Sequence, residues 1–90
     1  MKQQWRVHRH AEVTAYLISL REEGKAIRMA IESLKNGLPQ DVTQTKPHTY
    51  IWFEAEHWVV LVLEEENHAI YVSMIQKAEE PPDPEELNIV

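Results

Sequence analysis

Six consecutive residues, Trp58-Val59-Val60-Leu61-Val62-Leu63, are apolar without interruption. The run is far short of the roughly 20 residues that span a bilayer. Three of the six are β-branched, so it reads as a strand. Side chains on a strand alternate across the sheet, so this one is greasy on both faces whatever its register. The neighbouring segments agree. In Thr49–Glu54, Ile51 and Phe53 alternate with Tyr50 and Trp52, and in Ala69–Gln76, Ile70 and Val72 alternate with Tyr71 and Ile75. Ala55-Glu56-His57 and Glu64–His68 are short polar connections, of the length that joins antiparallel neighbours into a meander. Gln4–His8 also alternates and supplies a fourth, N-terminal strand.

The first half of the chain has the other period. Leu17, Leu20, Gly24, Ile27, Ile31 and Leu34 recur at steps of three and four, one stripe of a helix. Gly37 is a natural C-terminal stop. Gly24 can be the turn of a helical hairpin with arms near 11–22 and 26–36, or a weak point in one long helix, because the stripe stays in phase across it. A glycine inside a helix costs about 1 kcal/mol, and the hairpin avoids that cost. The expected fold is therefore α+β: a two-helix hairpin on a mostly antiparallel four-stranded sheet, in the order strand, helix, helix, strand, strand, strand.

One helix pair covers one face of a sheet. The second face, left in water, would be a larger apolar patch than monomers usually expose. It calls for a cover: a partner chain, a second copy of the domain, or the chain's own Leu87–Val90 end.

Ninety residues amount to one small domain, expected over 1–78, with 79–90 as an acidic proline-rich tail. The tail, from Ala78 to Glu86, carries three prolines and five acids in nine residues and reads as an extended, solvated segment. Within it Asp83-Pro84-Glu85-Glu86 is a fair helix start. The absence of cysteine excludes disulfides and thiolate chemistry. Met1–Arg6 has charge but no apolar segment behind it, so a signal peptide is not expected and the cytoplasm is the expected location. The net charge of −6 is unevenly divided. Residues 1–48 hold eight cations against five acids, whereas residues 49–90 hold Lys77 alone against ten acids. An acidic surface repels phosphate, so nucleic acid is not an expected partner of the sheet half.

Element order and apolar spacing together resemble the RelE/ParE superfamily of toxin–antitoxin toxins. The residues that carry the likeness are Leu17-x-x-Leu20 before the Gly24 turn, Ala26-Ile27-x-x-Ala30-Ile31-x-x-Leu34, and Gly37-Leu38-Pro39. In the sheet half they are Tyr50-Ile51-Trp52-Phe53, His57-Trp58-Val59-Val60-Leu61 and Ile70-Tyr71-Val72-Ser73-Met74-Ile75. The likeness covers about residues 4 to 77. It implies an antitoxin whose extended chain and helix wrap the domain, or a second copy, on the open sheet face. It also implies that Trp52, Trp58 and Tyr71 face the helices while Ile51, Phe53, Val59, Leu61, Val72 and Met74 face outward as partner-binding residues. Arg21, Lys25 and Arg28, around the turn, are the cations best placed for a partner's carboxylates.

The departures from the family bear on activity. Where relatives carry an arginine after the aromatic residue of the third strand, this chain has Val59; where they carry a basic residue in the last strand, it has Met74. Cleaving a phosphodiester requires fixed cations around a phosphorane, each worth several kcal/mol. The reading is therefore a diverged toxin component acting by protein–protein contact, DNA gyrase being one target that needs no ribonuclease chemistry. The alternative is a ribosome-dependent messenger endoribonuclease using Lys46, His48 and Lys77. A third reading is a non-toxic interaction module of the same fold. No cofactor or metal is expected. His8 and His10 have a spacing seen in metal sites, and His48, His57 and His68 lie at strand ends, where scattered surface histidines are the plainer reading. The carboxylates Glu54, Glu56, Glu64, Glu65 and Glu66 are read as turn residues that solvate the chain.

Overall fold

The computed structural model describes residues 3–82. The sequence-based readings of Asp83–Glu86 as a helix start and of Leu87–Val90 as a cover therefore lie outside the described residues.

The chain enters as a short strand, β1 (Arg6–Arg9), then forms helix α1 (Ala11–Ser19) and helix α2 (Lys25–Glu32). Four strands follow: β2 (Thr43–Lys46), β3 (Thr49–Glu54), β4 (His57–Glu64) and β5 (Ala69–Lys77). The sheet is thus five-stranded, in the order β1-β5-β4-β3-β2. The expected α+β class holds, while the strand count rises from four to five. Thr43–Lys46 carries no strand signal in the sequence because its pattern, Thr-Gln-Thr-Lys, has no apolar residue; it pairs with β3 as an edge that has no core face to fill. Strands β2 to β5 run antiparallel, and β1 lies parallel to β5, with Val7 opposite Ile70. A parallel pair needs a crossover between its strands, and here the helices are part of it.

The helical segment is broken, as the hairpin reading expects, and the break has two parts. Arg21 takes a left-handed φ of 52°, which ends α1, and Arg21–Gly24 then forms a single 3₁₀ turn into α2. Gly24 is not the residue with the unusual dihedral. Its φ is −86°, and its role is close approach: a Cβ there would lie 2.6 Å from Arg28 Nη1 and 2.8 Å from Leu20 Cβ. Gly37, with φ of 112°, is the stop the sequence indicates, after a second 3₁₀ turn at Ser33–Asn36. At the other end His10 caps α1, its Nδ1 accepting from the Glu12 backbone N–H at 3.1 Å. This capping satisfies one of the orphan donors of the first turn.

Both helices lie on one face of the sheet. Val13 and Leu17 of α1, with Ile27 and Ile31 of α2 and Leu34 beyond it, pack on Trp52, Val59, Leu61, Leu63, Ile70 and Val72. Leu61, Val59 and Val72 are completely buried. Alternation is interrupted once, in β5. Val60 pairs with Met74 but Leu61 pairs with Val72, so Ser73 is an extra residue in a bulge, its hydroxyl donating to the Val60 carbonyl at 3.3 Å. The bulge returns Ile75 to the helix side beside Ile70 and Val72, whereas plain alternation would set it against them.

Candidate functional site

The face away from the helices carries Ile51 and Phe53 from β3, Trp58, Val60 and Val62 from β4, and Tyr71 and Met74 from β5. Ile51 and Val60 form a small apolar cluster of their own, with Trp58 and Met74 packed against it. The Phe53 and Trp58 rings lie 4.9 Å apart at the end of that cluster, and Phe53 is 43% exposed. The edges of this face are basic. Lys46 stands on β2, and Arg6 and His8 on β1, where the His8 ring stacks on Tyr71 with centroids 5.0 Å apart. On the other side of the same Tyr71, the Glu64 carboxylate at the end of β4 holds the phenol pKa above its ordinary 10.0 by accepting from the hydroxyl, with desolvation and the carboxylate charge acting in the same direction.

Of the six outward-facing residues implied by the resemblance, Ile51, Phe53 and Met74 do lie on this outer face. Val59, Leu61 and Val72 do not: they point into the helix-covered core and are unavailable to a partner. Trp58 and Tyr71, expected beneath the helices, are on the outer face, while Trp52 is in the core as expected. The physical reason is register. A strand that is apolar at every position offers no polar residue to mark its outward side, and a shift of one residue exchanges the faces.

The turn cations divide similarly. Arg21 and Lys25 are exposed. Arg28 is not a free surface charge: its guanidinium donates to the Leu17 carbonyl at 2.8 Å and to the Arg21 carbonyl. These carbonyls belong to the end of α1 and the left-handed residue after it, so Arg28 closes the C-terminus of α1 from the next helix. Two large apolar side chains, Ile18 and Met29, stand out in solvent on the helices at 70% and 64% exposure. They fall off the Leu17–Leu34 stripe, and that departure was the signal available in the sequence.

Lys46, His48 and Lys77 are not brought together. Lys46 and His48 lie at the end of the sheet where Thr49 meets Val62, and Lys77 lies at the opposite end, paired with His57. Those rungs, at His57 and Val62, are five residue steps apart along β4, about 17 Å at the usual rise per strand residue. Lys77 Nζ approaches Glu56 Oε2 at 3.9 Å across exposed surface.

Each histidine has a local role. His68 stacks on Trp5 with centroids 3.8 Å apart and bonds to the Gln3 carbonyl at 2.9 Å. His48 occupies the β2–β3 turn with φ of 65°. His57 departs most from the surface-histidine reading, being only 5% exposed. Its Nδ1–H donates to the Ala55 carbonyl at 2.6 Å, so in the neutral ring Nε2 accepts from the Tyr16 hydroxyl at 2.9 Å. The pair ties α1 to the β3–β4 hairpin, whose turn residues Ala55 and Glu56 have left-handed φ of 50° and 64°. Such turns favour Asn-Gly, and each non-glycine residue there costs roughly 1–2 kcal/mol. The His57 bond offsets part of that cost. Among the described residues no three His, Asp or Glu side chains converge as metal ligands, and no helix is long and apolar enough to cross a membrane.

No family model, curated protein or solved structure matches this chain. The class defined by the fold is that of a small α+β domain with a helix layer on one side of a mostly antiparallel sheet.

Proposed function

We propose that the protein is a diverged RelE/ParE-like toxin component that acts by binding another protein, such as an antitoxin, rather than by cutting RNA. The observation that carries this reading is the outer sheet face. It has an apolar centre at Ile51, Phe53, Trp58 and Met74, where a nuclease would need converging cations. Dispersal of the fallback catalytic groups supports the same reading, since Lys77 stands a sheet length from Lys46 and His48. The order strand, helix, helix, then strands agrees with the resemblance of residues 4 to 77. Arg21 and Lys25, with exposed Ile18 and Met29 on the same helices, offer a second, amphipathic contact. A homodimer and DNA gyrase are the other partners that this reading allows.

Induced expression in a bacterial host is the test. Growth arrest with intact transcripts, relieved by Phe53→Glu, supports the binding toxin. Ribosome-dependent transcript cleavage lost in Lys77→Ala would establish the endoribonuclease instead, and unimpaired growth would leave a non-toxic interaction module. Leu61→Glu and Val72→Glu are unsuitable for this purpose, because both would place a charge in the helix-covered core.

A further inference from the structure

The strand at each end of the sheet has one side without a paired neighbour among the described residues, and the two ends are unlike. β2, with the sequence Thr-Gln-Thr-Lys, breaks register between Gln44 and Lys46 where it meets β3. An irregular edge of that kind is a poor template for a further strand. β1 keeps register with β5 over all four of its residues. It is also fixed at both ends: the Trp5 N–H donates to the Lys35 carbonyl at 2.8 Å, and the His10 N–H to the Val72 carbonyl at 3.0 Å. A strand already held in place loses little further freedom on binding.

The hydrogen bonds also say which backbone groups of β1 are open. Arg6 and His10 turn their N–H groups to β5 and its approach, donating to the His68 and Val72 carbonyls. In a parallel pair every second residue bonds to the neighbour, so the N–H and C=O groups of Val7 and Arg9 point the other way. The side chains along this edge are cationic. Trp5–His10 reads Trp-Arg-Val-His-Arg-His and holds no acid, and Arg6, His8, Arg9 and His10 are all exposed. Arg6 and His8 stand on the outer face, and Arg9 alternates to the helix side with half-buried Val7. Such an edge turns away strands of its own charge, its own copy included, and draws one of the opposite sign.

We propose that β1 is a docking edge for an extended acidic segment of a partner protein, which adds to the sheet as a sixth strand through the Val7 and Arg9 backbone. The matching segment reads acid, apolar, acid, acid: carboxylates opposite Arg6, His8 and Arg9, and an apolar side chain opposite Val7. This deepens the binding reading proposed above and rests on it, giving the chemistry of the partner segment.

The probe is a labelled peptide, Thr-Glu-Val-Glu-Glu-Val-Glu-Thr, whose sequence is the same in either direction of pairing. Fluorescence anisotropy with the full-length protein should show saturable binding, and the same peptide with lysine for glutamate should not bind. Val7→Pro should weaken binding about tenfold, because it removes an open-edge donor that β5 does not use. Arg6→Glu/Arg9→Glu should abolish binding, whereas Lys46→Glu, at the other end of the sheet, should leave it unchanged. In the native protein the complex should slow amide exchange at Val7 and Arg9, a readout that stands even if Val7→Pro fails to fold. Absence of saturable binding would overturn the proposal, as would binding that leaves exchange at Val7 and Arg9 unaltered. Binding that oligothymidylate displaces and Val7→Pro does not weaken would make β1 an unspecific anion surface, with the same consequence. Growth arrest is measured separately, so a toxin that ignores the peptide loses this inference alone, and a harmless protein that binds it loses only the toxin reading.

Discussion

The two faces of one sheet are both apolar, and they are used in different ways. Beneath the helices, Val59, Leu61 and Val72 are fully buried and interlock with Leu17, Ile27 and Leu34, side chains from two helices and the turn beyond them. Across the sheet, Ile51 and Val60 form a smaller cluster with Trp58 and Met74 among the described residues, and Phe53 at the margin is nearly half open. The inner face is core, where packing decides whether the chain folds. The outer face is a surface with a greasy centre and basic edges, where composition decides what can lie on it. An apolar strand guarantees that both faces exist but does not say which is which.

The comparison is broken most directly by truncating one residue on each side. Leu61→Ala opens a cavity under the helices and should cost about 3 kcal/mol, within the range for fully buried leucines. Phe53→Ala removes a larger side chain from the exposed margin and should cost under about 1 kcal/mol. Urea denaturation of both variants measures the difference. Equal losses would mean that the outer face is packed as tightly as the core.

The helix layer that makes the inner face different depends on the turn at Gly24. Gly24→Ala places a Cβ against Leu20 Cβ and the Arg28 guanidinium, so the turn has to open by several tenths of an ångström. We expect a loss of about 1–3 kcal/mol, the usual cost of overpacking, through weaker closure of α1 by Arg28. Thermal unfolding followed at 222 nm checks it. A neutral effect would show that Arg28 simply swings aside.

How much of this was legible follows from what each feature needs. The helical stripe, the Gly37 stop and the meander rest on local periodicity, and the structure reproduces all three. The fifth strand was hidden because an edge of Thr, Gln and Lys has no pattern to read. Face assignment failed for Val59, Leu61, Val72, Trp58 and Tyr71, since register depends on long-range pairing and on one bulged residue, Ser73. Arg28 looked like a solvated charge because its acceptors are backbone carbonyls up to eleven positions away, and backbone acceptors leave no trace in sequence. The buried His57 was missed for the same reason: its partner, Tyr16, is 41 residues distant.

That Tyr16–His57 contact sharpens the comparison at the sheet's end, where inner and outer faces meet at the β3–β4 turn. Tyr16→Phe keeps the ring and removes the donor, leaving Nε2 buried without a partner. The cost should be about 1–2 kcal/mol. The hairpin should loosen first, seen as faster amide exchange at Ala55 and Glu56 than at Leu61. Uniform loss across the sheet would instead assign the pair a global role.

The smallest effect lies on the outer face, at Tyr71. Glu64 accepts from its hydroxyl, and burial and the carboxylate charge act in the same direction, so the folded pKa lies above 10.0. The folded state therefore holds the phenolic proton more tightly than the unfolded chain does. That contribution to stability is complete below pH about 10 and is lost as pH rises through the folded pKa. Glu64→Gln removes the charge and weakens the acceptor, so the titration of Tyr71 should move down towards the ordinary value. The alkaline decline in melting temperature should become shallower. Absorbance at 295 nm, with Tyr71→Phe to separate Tyr16 and Tyr50 from the signal, reads the first effect. If Glu64→Gln leaves that titration where it was, desolvation, and not the carboxylate, holds the proton.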